Sequence, residues 1–195
     1  MGKGGLSMPA TSVQKLARVL KVLVTITFIC NLVALALVPG LATMNGFQGL
    51  TSFAAFGLPG GISQAILYFV LCWRWVWTYG SYFVVLTFFL FFCGVCTAVI
   101  LWQARRVLDN IMWAHIFTGY NADNLRRAAV CCFLISAAAL IRLLWGFWYY
   151  ASILPLLTYN ALFVPVFFMG GLLCLVMSAL FRQAAELKAE NDLTI

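Results

Sequence analysis

LWQARRVLDNIMWAHIFTGYNADNLRR, residues 101–127, is the longest polar interruption in an otherwise apolar sequence, and its reading decides the fold. It holds Arg105, Arg106, Arg126 and Arg127, four of the chain's twelve Lys and Arg residues. Apolar runs at 82–102 and 128–147 flank it, and two more lie at 19–38 and 162–181. Each supplies the roughly 20 apolar residues that a helix needs to cross a hydrocarbon layer about 30 Å thick. The expectation is an all-α, polytopic membrane protein: a four-helix bundle of transmembrane helices in a single membrane domain, residues 1–195.

Composition agrees. Of 195 residues, 65% are hydrophobic and 9% charged, against about 25% charged in a soluble domain. Mean hydropathy is +1.02. The apolar segments are continuous rather than alternating, which argues against a membrane barrel. A net charge of +7 invites a nucleic-acid reading, but the basic residues sit at the ends of apolar runs. Charge there sets orientation and attraction to anionic lipid, so no direct nucleic-acid binding is expected.

The positive-inside rule orients the chain. With four spans, Lys3, Lys15, Arg18, Lys21, Arg105, Arg106, Arg126, Arg127, Arg182 and Lys188 fall on one side, and Arg74 and Arg142 do not. Both termini, the 103–127 hairpin and the 182–195 tail are then expected in the cytoplasm. The first apolar run is longer than a secretory h-region and reads as a retained helix, ended by Pro39-Gly40. Residues 40–80 form the outer segment, Gly-rich until Gly61 and then aromatic around Trp73, Trp75 and Trp77. Its 62–77 stretch is short for a span and reads as an interfacial or re-entrant helix; a fifth span there would divide the basic ends between two sides.

Within 101–127, Leu108, Ile111, Met112, His115 and Ile116 recur at helical spacing, and the Thr118 side chain is placed to cap the next helix. Small residues recur every fourth position: Ala128, Cys132 and Ser136, then Gly170, Cys174 and Ser178, with Gly94 and Ala98 as a shorter pair. Such stripes let helix backbones approach closely in lipid. Packing within the bundle is the leading expectation, and homodimerisation the alternative.

Sites of chemistry are scarce. Cys93-x-x-Cys96 resembles a thiol–disulfide motif but lies roughly 17 Å along a span, where burial in hydrocarbon suppresses the thiolate. A thiol oxidoreductase is therefore the weakest reading. Six of the seven cysteines fall in apolar runs and only Cys72 does not, so no disulfide is expected. Arg142 is close enough to the outer interface to snorkel beside Trp145 and Trp148; pairing with Asn31 or Asn160 in an outer pocket, together with Arg74, is the alternative. No span contains Asp or Glu, His115 is the single histidine, and no catalytic, cofactor or metal-ligand constellation can be assembled. A non-enzymatic protein without cofactors is expected. At the carboxyl end, Arg182 and Glu186 are spaced to pair across one helical turn, and the acidic tail at Glu190 and Asp192 could fold onto the four arginines, or it could fray.

Two segments resemble a known family. Phe117-Thr118-x-x-Asn121-x-x-Asn124-Leu125-Arg126-Arg127 before a span, and the ending from Ala185 to Leu193-Thr194-Ile195, are similar to domain of unknown function 2975, small bacterial four-span proteins. The resemblance covers residues 82–195. It implies a bacterial plasma-membrane location, no established activity, and a partnership with a small helix-turn-helix transcriptional regulator. The surface expected to carry such a partner comprises Arg105, Arg106, Arg126, Arg127, Glu190 and Asp192. The alternative function is a small-molecule or lipid-handling protein of exporter or immunity type, working through Arg74 and Arg142.

Denatured protein, alkylated without prior reduction, should take up label at all seven cysteines. A mass corresponding to five or fewer would reveal a disulfide and refute the placement of the cysteines in lipid.

Overall fold

The structure, a computed structural model, describes residues 12–43, 74, 76–78, 80–113, 118–150 and 159–192. Most of the outer segment, Cys72, the hairpin residues 114–117, the loop at Pro155 and residues 193–195 lie outside the described residues.

Among the described residues, four long helices follow one another: α1 Ser12–Thr43, α2 Ser81–Met112, α3 Gly119–Tyr150 and α4 Tyr159–Asp192. All four are long and apolar enough to cross a membrane, and the protein is a multi-pass membrane protein. Helix is the form that satisfies backbone N–H and C=O groups within the segment itself, where lipid offers no partner. At 1.5 Å per residue, helices of 32 to 34 residues run roughly 48–51 Å, well beyond the hydrocarbon layer.

α1 does not stop at Pro39-Gly40 as the sequence suggests; it passes through both to Thr43. Proline removes one intrahelical hydrogen bond, and the remaining ladder continues past it. The carboxyl-terminal tail likewise neither folds back nor frays over 182–192, because α4 runs unbroken to Asp192. Part of the outer segment is also helical: Thr78 Oγ1 donates to the Arg74 carbonyl at 3.2 Å, and Trp77 packs edge-on against Phe88 of α2.

Packing joins α1 to α2, α2 to α3 and α3 to α4, each pair antiparallel. The α1–α2 seam closes at Gly94. A Cβ added there would collide with the Leu35 side chain, which would have to turn aside, so glycine gives this approach its closest fit. The Gly94 carbonyl accepts a hydrogen bond from Asn31 Nδ2 at 3.0 Å, and Phe28 meets Trp102 two turns further along α2. On the α2–α3 seam, Tyr82 stacks on Trp145 and Arg142 lies over the Phe89 ring at 4.7 Å. Arg142 is therefore directed at α2 rather than at headgroups beside Trp145 and Trp148. The electron-rich ring face attracts the guanidinium without requiring it to leave the helix interface. Asn31 is engaged at Gly94.

The α3–α4 seam uses the small-residue stripes. Ala128, Cys132 and Ser136 are buried, and Ser136 Oγ donates to the Val164 carbonyl at 2.9 Å, one residue before Pro165. Ser178 Oγ donates to the Ala122 carbonyl at 2.7 Å. The close glycine is Gly171, not Gly170. A Cβ at Gly171 would come within 2.9 Å of the Phe133 ring, whereas Gly170 faces open space. The true core is thin and lies along α3, where Ala129 and Ile135 are fully buried.

Gly94→Val should lower thermal stability in detergent by about 1–3 kcal/mol through overpacking. Adding Leu35→Ala should restore most of that loss. Equal destabilisation with and without the second change would show that Leu35 does not set the seam.

Candidate functional site

Because the helices alternate in direction, the start of α1, the end of α2, the start of α3 and the end of α4 meet at one end. The polar turns that exceed the span sit there on all four helices, bringing together Lys15, Arg18, Lys21, Arg105, Arg106, Arg126, Arg127, Arg182 and Lys188. Arg74, ahead of α2, is exposed, and Arg142 lies on the half of α3 away from this basic end.

Three contacts organise this basic end. Lys21 of α1 pairs with Asp109 of α2 at 2.5 Å, in a bridge that is only part-exposed. Arg106 donates to the Tyr120 hydroxyl at 3.0 Å while its guanidinium lies 5.5 Å from the Trp102 ring centroid, fastening α2 to the first turn of α3. Asn110 Nδ2 donates to Asn121 Oδ1 at 2.6 Å, and Asn121 is fully buried. Thr118 begins α3 through its carbonyl, which accepts from the Asn121 and Ala122 amides. Its side chain does not cap the helix as expected; Oγ1 is buried without a hydrogen-bond partner. The carbonyl bond already starts the helix, and side-chain capping would require Oγ1 to face the free amides.

A second feature lies one to two turns deeper. Gln103 is 7% exposed and Asn124 1% exposed. Gln103 Oε1 and both polar atoms of Asn124 lack hydrogen-bond partners. Gln103 lies three heptads beyond Tyr82, and Asn124 three heptads before Trp145, so the Tyr82–Trp145 contact brings the two amides level across the α2–α3 seam. A buried amide left unpaired costs about 1–3 kcal/mol per group. Packing alone gives no reason for two such groups at one level. The sequence shows them only as polar letters inside a hairpin.

Of the six residues expected to bind a partner, Arg126 and Arg127 are exposed on α3, and Glu190 is exposed near the end of α4. Asp192 closes α4. Arg105 and Arg106 are part-buried, Arg106 being held by Tyr120 and Trp102. The Ser178–Ala122 contact sets Arg182 level with Thr118, so the rest of α4 projects roughly 15 Å further at 1.5 Å per residue. Arg182 bonds Glu186 one turn on, at 3.2 Å. Leu108 of the predicted apolar stripe is buried, Ile111 and Met112 are half-buried, and His115 and Ile116 lie outside the described residues. Among the described residues, no group of three or more His, Cys, Asp or Glu side chains could hold a metal ion.

The model of a family described as "Protein of unknown function (DUF2975)" matches residues 52–195. The match takes in α2, α3, α4 and the later part of the outer segment, reaching further than the two motif-bearing segments. No curated protein and no solved structure matches the chain.

Replacing Asn124 by Leu should leave thermal stability unchanged or raise it, because the amide makes no hydrogen bond to lose. Asn121→Leu should lower it by about 1–3 kcal/mol, since it strands the Asn110 amide. A large loss from Asn124→Leu would show that this amide is satisfied after all.

Proposed function

The chain belongs to the DUF2975 family of proteins of unknown function, and from that premise we propose a non-enzymatic membrane sensor or anchor that holds a cytoplasmic regulator. The basic end faces the cytoplasm in this reading, both termini included, as the positive-inside rule requires, and the membrane is the bacterial plasma membrane. The partner is a small helix-turn-helix transcriptional regulator, the class that the family resemblance implies.

The observation that carries the reading is the convergence of all four helix ends. It gathers the polar ends of the described helices at one face, with exposed Arg126 and Arg127 beside a helix projecting past the level of Thr118. Charges exposed at a rim steer encounter and fix register more than they add affinity. The buried amides level at Gln103 and Asn124, with Gln103 Oε1 and both Asn124 polar atoms unpaired, add support. They lie directly beneath this surface, and unsatisfied buried groups concentrate where a protein keeps function at the expense of stability. The polar face is thus both an orienting device and a docking surface.

Capture of a small helix-turn-helix regulator by full-length protein in detergent tests the reading. Deleting residues 186–195 and changing Arg126 and Arg127 to Gln should weaken capture at least tenfold, an affinity loss of about 1.4 kcal/mol. Undiminished capture would remove this surface from the account, and no capture by the unaltered protein would remove the partner.

A further inference from the structure

Between α1 and the end of α2, beside the Lys21–Asp109 bridge, lies an open groove of about 580 Å³. Arg18 and Lys21 form one wall and Met112 and Trp113 the other, with Val22 and Ile26 running away from them along α1. We propose that this groove binds an anionic glycerophospholipid from the surrounding bilayer. The phosphate lies at Arg18 and Lys21, and an acyl chain follows Val22 and Ile26.

Four features support the assignment. The groove changes from cationic to apolar over little more than one helical turn, in the order in which a phospholipid changes from headgroup to tail. Val22 and Ile26 are both more than half exposed, as lipid-facing positions are. Lys21 is oriented by Asp109, whereas no described acidic side chain pairs with Arg18. Asp109 also leaves one net positive charge among these three groups, which suits a singly charged phosphodiester. Trp113, the residue that follows α2, is 76% exposed, where an indole sits well among headgroups. A soluble phosphate would use the two cations but would leave the apolar half of the groove without an occupant.

Native mass spectrometry of the full chain in detergent tests this, with phosphatidylglycerol and phosphatidylcholine supplied in equal amounts. Phosphatidylglycerol should be retained in preference. Arg18→Gln should cut that retention about fivefold, the loss expected of one basic contact at a membrane surface. Trp113→Ala should also weaken it, and Arg182→Gln, an exposed arginine on α4, should leave it unchanged. Equal retention of the two lipids, wild-type retention by both Arg18→Gln and Trp113→Ala, or an equal loss in Arg182→Gln would overturn the site. Displacement of the lipid by excess inorganic phosphate would overturn it in favour of a soluble anion.

Discussion

In lipid, helices gain little from burying apolar surface against one another, so their association rests on close approach and on polar groups that find partners across a seam. In this protein that constraint is met by a few small residues and a few side-chain hydrogen bonds to neighbouring backbones. Asn31 reaches the Gly94 carbonyl, Ser136 the Val164 carbonyl, and Ser178 the Ala122 carbonyl. Each bond requires a close backbone approach, and Gly94, Gly171 and the stripe Ala128, Cys132 and Ser136 permit it. The thin core follows, as do the broad apolar outer faces exemplified by exposed Ile141 and Leu173.

These seams also determine what stands at the basic end. Because α1 is held antiparallel to α2, and α3 and α4 follow in alternation, the surplus turns of every helix leave the apolar layer together. Lys21–Asp109 and Arg106–Tyr120 then close that end laterally. The result is a polar face with two kinds of residue. Some are committed to holding the fold, as Arg106, Asn110 and Asn121 are. Others, such as exposed Arg126 and Arg127, are spared that work. Gln103 and Asn124 belong to neither group, being buried while Gln103 Oε1 and both polar atoms of Asn124 lack hydrogen-bond partners.

Much of this was legible in the sequence, because the bilayer imposes simple requirements on length and charge. The four apolar runs and the grouping of basic residues came directly from those requirements. The small-residue stripes pointed to the α3–α4 seam, although the close glycine proved to be Gly171 rather than its neighbour. Other features depended on which way a side chain turns, and periodicity does not encode that. Arg142 had a headgroup layer and an aromatic ring within reach, and the ring took it. Pro39-Gly40 is a strong stop signal in water, yet here the helix continues. The unpaired amides and the groove at Arg18 were invisible for a different reason. Both arise between helices distant in sequence, where only the register of the seams reveals them.

The central claim is that all four helix ends present their polar turns on one face of the membrane. Single cysteines placed at Lys15, Asp123, Glu186 and Gly80 in a cysteine-free protein, labelled with a membrane-impermeant thiol reagent in right-side-out and inverted vesicles, test it most directly. The first three should label only in inverted vesicles and the Gly80 position only in right-side-out ones. Labelling of any of the first three from the same side as Gly80 would contradict the account.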